Sequence, residues 1–583
     1  MVFSNMNKVT SLSYGVFCLT FFSACGGAGS DVNSTSQVPP APPGPTGQTL
    51  PSMDASGSTE FTDVTNMSGL DFQVGPSAMF TNSEIPLIFP HGIAAGDYDN
   101  DGDIDVFIAK ADRSANHLFQ NNGNMVFQDV AIEAGLAFTN TETETYRHGS
   151  PAFVDLNSDG HLDLLIPGLE QDPSLVFVSN SDGTFSDVSE GSGLDRMQAS
   201  YSHSPTFGDY DLDGDLDLFF GHWGTARDFD NVGDTEHLWR NDSVGQNIRF
   251  TSVSLETNIS PSILTNADPF ITQRVFDHTF TPTFARVNED AWPDIVMAGD
   301  FGFSQVFINQ QDGTFINGTD FDEIIDGNGM GSAVADFDND GDMDWFVSSI
   351  LARPSTATND PRPIPSTLSQ IGNRLYRNNS GEFEDVTLQF GVDDGSWGWG
   401  SCFIDFENDG DLDIYHTNGW SLDNFGNFPN DSSRAYIAGE DGRFLNQAEA
   451  LGLNDMEQGR GIVCDDLDDD GDIDILQLHL NNLNAVSLWQ NNYQGSNSYL
   501  KVELVGEAPN TQAIGARILA RVENRTFTRD VKLGSNFASH NSTVQHFGLG
   551  SAQSIDSIIV EWPNGEQTEM TSVNVNQTLR ISQ

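Results

Sequence analysis

The nine residues Asp97-Tyr98-Asp99-Asn100-Asp101-Gly102-Asp103-Ile104-Asp105 place carboxylates at the first, third, fifth, seventh and ninth positions and a glycine at the sixth. Oxygens from every second residue converge on one point, and glycine permits the sharp turn that wraps the chain around it. This is the donor set of a hard cation such as Ca²⁺. Side-chain oxygens from places one, three, five and nine, with a backbone carbonyl from place seven, are the expected ligands. The flanks alternate apolar residues with period two, as in Ile93-Ala94-Ala95 and Val106-Phe107-Ile108. The loop therefore reads as the tip of a β-hairpin rather than the middle of a helix–loop–helix.

The nine-residue pattern recurs. Its further copies carry Asp155, Asn157, Asp159, His161 and Asp163; Asp209, Asp211, Asp213, Asp215 and Asp217; Asp336, Asp338, Asp340, Asp342 and Asp344; Asp405, Glu407, Asp409, Asp411 and Asp413; and Asp466, Asp468, Asp470, Asp472 and Asp474. A seventh, worn copy has Arg286 at place one and Ala291 at place six, and is expected to hold no strongly bound metal. About six Ca²⁺ sites follow. The copies start at 97, 155, 209, 286, 336, 405 and 466, a spacing that suits one four-stranded propeller blade with variable loops. After most hairpins comes a second pair of apolar runs ending in Phe-x-Asp-Val and Gly-Leu, as at Phe127–Leu136. The last blade lacks that ending, and Phe61-Thr62-Asp63-Val64 through Gly69-Leu70 supplies it. The N-terminal strand is thus expected to complete the last blade and close the ring.

These loops resemble the FG-GAP or VCBS-type calcium repeats of integrin-like seven-bladed propellers, a resemblance that implies an all-β propeller over 59–494. Residues 495–583 change character. Ile514-Gly515-Ala516-Arg517, His546-Phe547-Gly548-Leu549-Gly550 and Val560-Glu561-Trp562-Pro563-Asn564-Gly565, with Asn576-Gln577, closely resemble the ASPIC/UnbV domain. Period-two alternation over Tyr499–Gly506, Ala516–Val522, Thr526–Leu533 and Ile555–Trp562 makes this tail a small β-sandwich-like domain. Together the two parts resemble the cartilage-acidic-protein-like family, whose bacterial members are secreted or surface proteins of poorly defined activity.

The chain's 85 acidic residues against 24 basic ones, net −61, exclude nucleic acid and anionic lipid as charge-driven partners. Weak calcium sites on such a chain suit an exterior rich in divalent cations. Residues 1–25 read as an export signal. Ser23-Ala24-Cys25 resembles a bacterial lipobox, which implies lipid on Cys25 and a bacterial outer-membrane or cell-surface lipoprotein held to the membrane by that lipid. Residues 26–58, rich in Pro, Gly and Ser, form a tether. Cys402 and Cys464 stand three and two places before their loops, so alternation points them to opposite sides of their sheets. Both are expected to be unpaired core residues.

If the acid loops lie at one face, the starts of first strands and the ends of second strands lie at the other. Seven of the 12 histidines fall there: His91, His148, His203, His222, His278, His416 and His479. So do Tyr146, Arg147, Trp223, Trp397, Trp399, Trp420 and Arg460. The expectation is a mildly basic, aromatic funnel. Two functions fit. One is a calcium-stabilised surface binding or adhesion module, expected to be monomeric, whose partner is a glycan, an anionic small molecule or a surface protein. The other is a lyase, hydrolase or cyclase in which His91, His148, His203 or His278, with Arg147 or Arg460, does acid–base work. Packing between blades accounts for the same residues without any ligand. Gly548-Leu549-Gly550 opens no helix and is no dinucleotide site.

Overall fold

The computed structural model describes residues 60–70, 72, 91–197, 199, 201–224, 226–227, 236–265, 275–351, 372–420, 428, 431–439, 442–480, 485–534 and 536–583. The export signal, Cys25 and the tether lie outside them. Blade 1 is formed by His91–Gly96, Asp105–Lys110, His117–Asn121 and Phe127–Asp129, each strand antiparallel to the next. Five further blades repeat this order, with first strands at Ala152–Val154, His203–Gly208, Thr279–Ala285, Ser332–Ala335 and Gly398–Ile404. Blade 7 takes three strands from Gly459–Asp465, Asp474–His479 and Val486–Asn491. Its fourth is Phe61–Asp63, with Phe61 opposite Asn491 and Asp63 opposite Trp489. The ring therefore closes as the repeat pattern requires.

Period-two alternation explains how the blades stack. In the second strand of blade 1, Val106 and Ile108 pack with Val463 and Leu476 of blade 7, whereas Phe107 and Ala109 pack with Phe153 and Leu164 of blade 2. Each strand thus feeds two cores. The same geometry overturns the expectation for the cysteines. Cys402 and Cys464 form a disulfide, with Cα atoms 6.8 Å apart. They lie in the first strands of blades 6 and 7 and share one interblade core with Ile462 and Ile475. Sheets stacked around a ring meet through opposite faces, so opposite parity is what brings the two sulfurs together.

The C-terminal part has two sheets. One holds Gln545–Gly548, Tyr499–Val505 and Thr578–Ser582; the other holds Arg525–Asp530, Arg517–Val522, Ser554–Glu561 and Gln567–Asn574. Their inward residues, Val502, Phe547, Ile518, Phe527, Ile558 and Trp562 among them, belong to one buried cluster with Phe207 and Leu218 of blade 3. The segment 533–542 leaves this domain and enters the ring. Ser539–His540 adds a parallel fifth strand to blade 1, with Ile93 opposite Ser539 and Ala94 opposite His540.

Candidate metal loops and the covered channel

Local sequence makes each acid loop the same object. Place four takes a left-handed conformation, with φ of 61° at Asn100, 57° at Asn339 and 60° at Asp469. Glycine at place six does likewise, with φ of 100° at Gly102 and 104° at Gly214, a region costly for other residues. The place-one carboxylate then accepts two loop amides: Asp97 Oδ1 from Asp101 at 3.0 Å and Oδ2 from Gly102 at 3.0 Å. In the worn loop neither Glu289 nor Ala291 takes a positive φ, and Arg286 at place one faces the C-terminal domain instead. Its guanidinium meets Glu561 at 3.2 Å and the Gly515 carbonyl at 3.1 Å.

Place nine has a role in all seven loops. Its Oδ2 accepts the place-two amide, for example Tyr98 to Asp105 at 3.2 Å and, in the worn loop, Val287 to Asp294 at 3.4 Å. An asparagine that ends the third strand was not singled out in the sequence, although Gln-Asn-Asn recurs there. The Asn121 side chain donates to the carbonyls of Ile104 in its own loop and Leu467 in blade 7, and Asn309, Asn378 and Asn491 likewise reach the preceding blade.

Carboxylate oxygens converge within 4.8 Å of one another in four loops: Asp97, Asp99 and Asp101; Asp209, Asp211 and Asp217; Asp336, Asp338 and Asp344; Asp466, Asp468 and Asp474. In all four, the place-three oxygen Oδ1 (Asp99, Asp211, Asp338, Asp468) is buried and accepts no hydrogen bond. A buried acceptor without a donor is costly, and a cation at the convergence point satisfies it. These residues could therefore hold metal ions. Burial pushes the carboxyls up, to about 6 at Asp97 and Asp338 and about 7 at Asp209 and Asp336, with neighbouring carboxylates adding to the shift. The Asp155 and Asp405 loops do not bring three such oxygens together. Asn157 replaces a carboxylate in the first, and Thr511 donates to Asp155. In the second, burial raises Glu407 to about 7. Three place-seven side chains have partners outside their own acid set: Asp411 pairs with Arg525 at 2.6 Å, Asp472 accepts from Asn408 at 2.7 Å, and His161 lies 2.9 Å from the Asn100 amide, whereas Asp215 keeps a buried Oδ1 without a donor beside its own loop's acids. Asp159, Asp213, Asp340, Asp409 and Asp470 at place five each accept the place-seven amide or lie beside it.

The C-terminal domain sits on this acid face. The same atom, the place-six glycine carbonyl, receives one of its donors in three successive blades: Arg517 on Gly341 at 3.4 Å, Arg525 on Gly410 at 3.3 Å and His546 on Gly471 at 3.1 Å. Lys501 meets Asp466 at 2.7 Å. Gln512 accepts the Asp155 amide at 2.9 Å, and the Gly550 amide donates to Asn408 at 2.8 Å.

At the opposite ends of the strands, His91, His148, His203, His222, His416, His479 and Arg460 are buried; Tyr146, Arg147, Trp223 and His278 are half-buried. His148 lies 2.8 Å from the Thr139 hydroxyl, His479 2.7 Å from Asp455, and Arg147 pairs with Glu170 at 2.8 Å. Burial lowers His148 and His416 to about 3 and His278 to about 4, so these imidazoles are neutral. Trp397 and Trp420 stack at 4.8 Å, and the Arg460 guanidinium lies 4.0 Å from the Trp399 ring centre. The structure brings Trp397, Trp399, Trp420 and Phe280 into one cluster around Phe537 of the inserted segment, which is wholly buried. The channel between the two faces is occupied there by the chain's own side chain.

Residues 506–583 match the family described as ASPIC and UnbV, and residues 97–166, 286–347 and 366–416 match FG-GAP-like repeats. The chain thus carries FG-GAP-like repeats in its propeller and ends in a domain that matches ASPIC and UnbV. Cartilage acidic protein 1 of Mus musculus and of Homo sapiens are each 27% identical over 308 residues, 49% of this chain and 42% of the relative. The matching region thus spans about two fifths of the length of these curated relatives. An Agrocybe aegerita lectin, in a structure described by its recognition of terminal N-acetylglucosamine, aligns with 66% of this chain and 88% of its own at 15% identity and a TM-score of 0.35, too low to carry an argument. Among the described residues no helix is long and apolar enough to cross a membrane.

Proposed function

We propose that this chain is an extracellular, calcium-stabilised binding module. About six Ca²⁺ ions are held by the acid loops, and the face opposite them meets a surface protein or glycan in adhesion. The observation that carries the reading is the place-three oxygen left without a donor in four loops at the point where three carboxylates meet. A dication there offsets carboxylates that otherwise repel across a few ångströms, and so stiffens each hairpin. With the acid face covered by the C-terminal domain, the opposite face is the one left for a partner. Lipid on Cys25 and the tether of residues 26–58 would hold the module at a bacterial outer membrane or cell surface. The buried, neutral histidines lend no support to acid–base catalysis near pH 7.

A thermal melt of residues 59–583 in millimolar Ca²⁺ and in EGTA tests the reading, with ion stoichiometry measured by native mass spectrometry. The expected result is a large rise in midpoint with calcium and about six ions bound. Equal midpoints in both buffers would end it.

A further inference from the structure

We infer that the C-terminal domain reads the metal state of the propeller: calcium in the loops holds segment 533–542 in the channel, and its withdrawal releases it. This rests on the calcium reading above. The observation that points beyond it is the choice of contact atoms. Arg517, Arg525 and His546 bind carbonyls of place-six glycines, and the Gly550 amide binds a place-four carbonyl. Those carbonyls point outward only while places four and six hold their left-handed conformation. In the loops of blades 5 and 7, where the carboxylates of places one, three and nine converge, a bound cation would hold that conformation against repulsion among the acids, and the blade 6 loop between them is tied to both through Asn339 and Asn408.

The loops also report on one another. The place-four asparagine of one loop donates to the place-six carbonyl of the next: Asn100 to Gly160 at 3.4 Å, Asn339 to Gly410 at 3.4 Å and Asn408 to Gly471 at 3.2 Å. Gly410 and Gly471 therefore each carry one donor from the neighbouring blade and one from the C-terminal domain. A loop that loses its ion shifts an atom on which both depend. The worn loop fits the scheme from the other side. Having no metal set, it docks through a permanent cation, Arg286, onto Glu561.

Release has a defined readout, because the segment satisfies amides of first strands in three blades. Ile93 donates to Ala538 at 3.1 Å, Phe207 to Leu533 at 3.0 Å and Ile462 to the Ser539 hydroxyl at 3.1 Å. This is strand addition at an inner sheet edge, anchored by Phe537 against Trp399 and Phe280 at 5.0 and 5.4 Å. Such contacts open cooperatively when the docking that holds them is weakened.

The experiment is hydrogen exchange on the full chain, with CaCl₂ and then EGTA as the only variables, read at Ile93, Phe207 and Ile462. On chelation these amides are expected to exchange at least ~100-fold faster, while second-strand amides inside the blades stay protected. Arg525→Gln should raise the calcium concentration that protects the three amides about tenfold, as loss of one charge-assisted bond predicts. Unchanged protection in EGTA, with calcium binding shown by mass spectrometry, would overturn the inference and leave a fixed plug. Absence of calcium binding would overturn the function proposed above as well, so the two failures are distinguishable.

Discussion

Asp338→Asn should change the sign of its effect with calcium. The Asp338 carboxyl stands at place three of blade 5, where burial raises it from 3.8 to about 6. Its Oδ1 has no donor, and it lies with Asp336 and Asp344. Without metal, ionising it at pH 7 works against folding. Two units of upward shift correspond to ~3 kcal/mol, which partial exposure reduces to about 1–2 kcal/mol. The amide is isosteric and uncharged, so the variant should be more stable than the parent in EGTA by roughly that amount. In calcium the order reverses, because the loop has lost an anionic ligand. An ion present at ~100 times its dissociation constant contributes about 2.7 kcal/mol, and most of that disappears with the site. Urea melts of parent and variant in CaCl₂ and in EGTA give the four values required. If the variant is weaker by a similar amount in both buffers, Asp338 is a packing residue and the metal reading of the loop fails.

Other outcomes follow from the same geometry. Phe537→Ala, which empties a wholly buried site between Trp399 and Phe280, should cost about 3–5 kcal/mol in a denaturant melt, and in a cycle with Trp399→Phe the two losses should not add. Cys402→Ser with Cys464→Ser should cost about 4 kcal/mol, given their sequence separation of 62, and the intact disulfide should be seen by mass difference before and after reduction. In saturating calcium, stability should fall as pH drops from about 6.5 toward 3. His148 and His416 have folded values near 3, below their unfolded value, so the unfolded chain takes up more protons over that window, and each costs about 2 kcal/mol at pH 5 by melts against pH.

Much of this architecture was legible because it repeats. An acid alternation with glycine at place six fixes a turn, and its recurrence with Phe-x-Asp-Val endings fixes the blade, including the borrowed strand Phe61–Asp63. What repetition does not carry was harder to read. Segment 533–542 looks like an ordinary stretch after a strand, since nothing in a sequence says that a loop of one domain ends inside another. The histidines cluster at strand ends for a reason that alternation leaves open: His416 packs on Phe346 and Tyr436 and His222 on Phe220 and His237, while His203 lies against Phe280 and the inserted Phe537. The cysteines were misread because parity was judged within each sheet, whereas the ring sets two sheets face to face. The stapling asparagines repeat in plain view, but their partner lies in the preceding blade.

The borrowed strand leaves the ring a single seam, and the seam decides how the protein ages. Only three residue pairs join Phe61–Asp63 to blade 7. A protease cut just after Asp63 would strip the strand and bare Val486–Asn491, an open edge on which another chain can build. The disulfide lies on the other side of blade 7, tying it to blade 6. In an oxidising setting a clipped molecule would gape at one interface and remain otherwise whole. In a reducing one the same nick would leave blade 7 to its packing on blades 1 and 6 and to the C-terminal domain's grip through Lys501 and His546, so cleavage and reduction together should expose more edge than either alone.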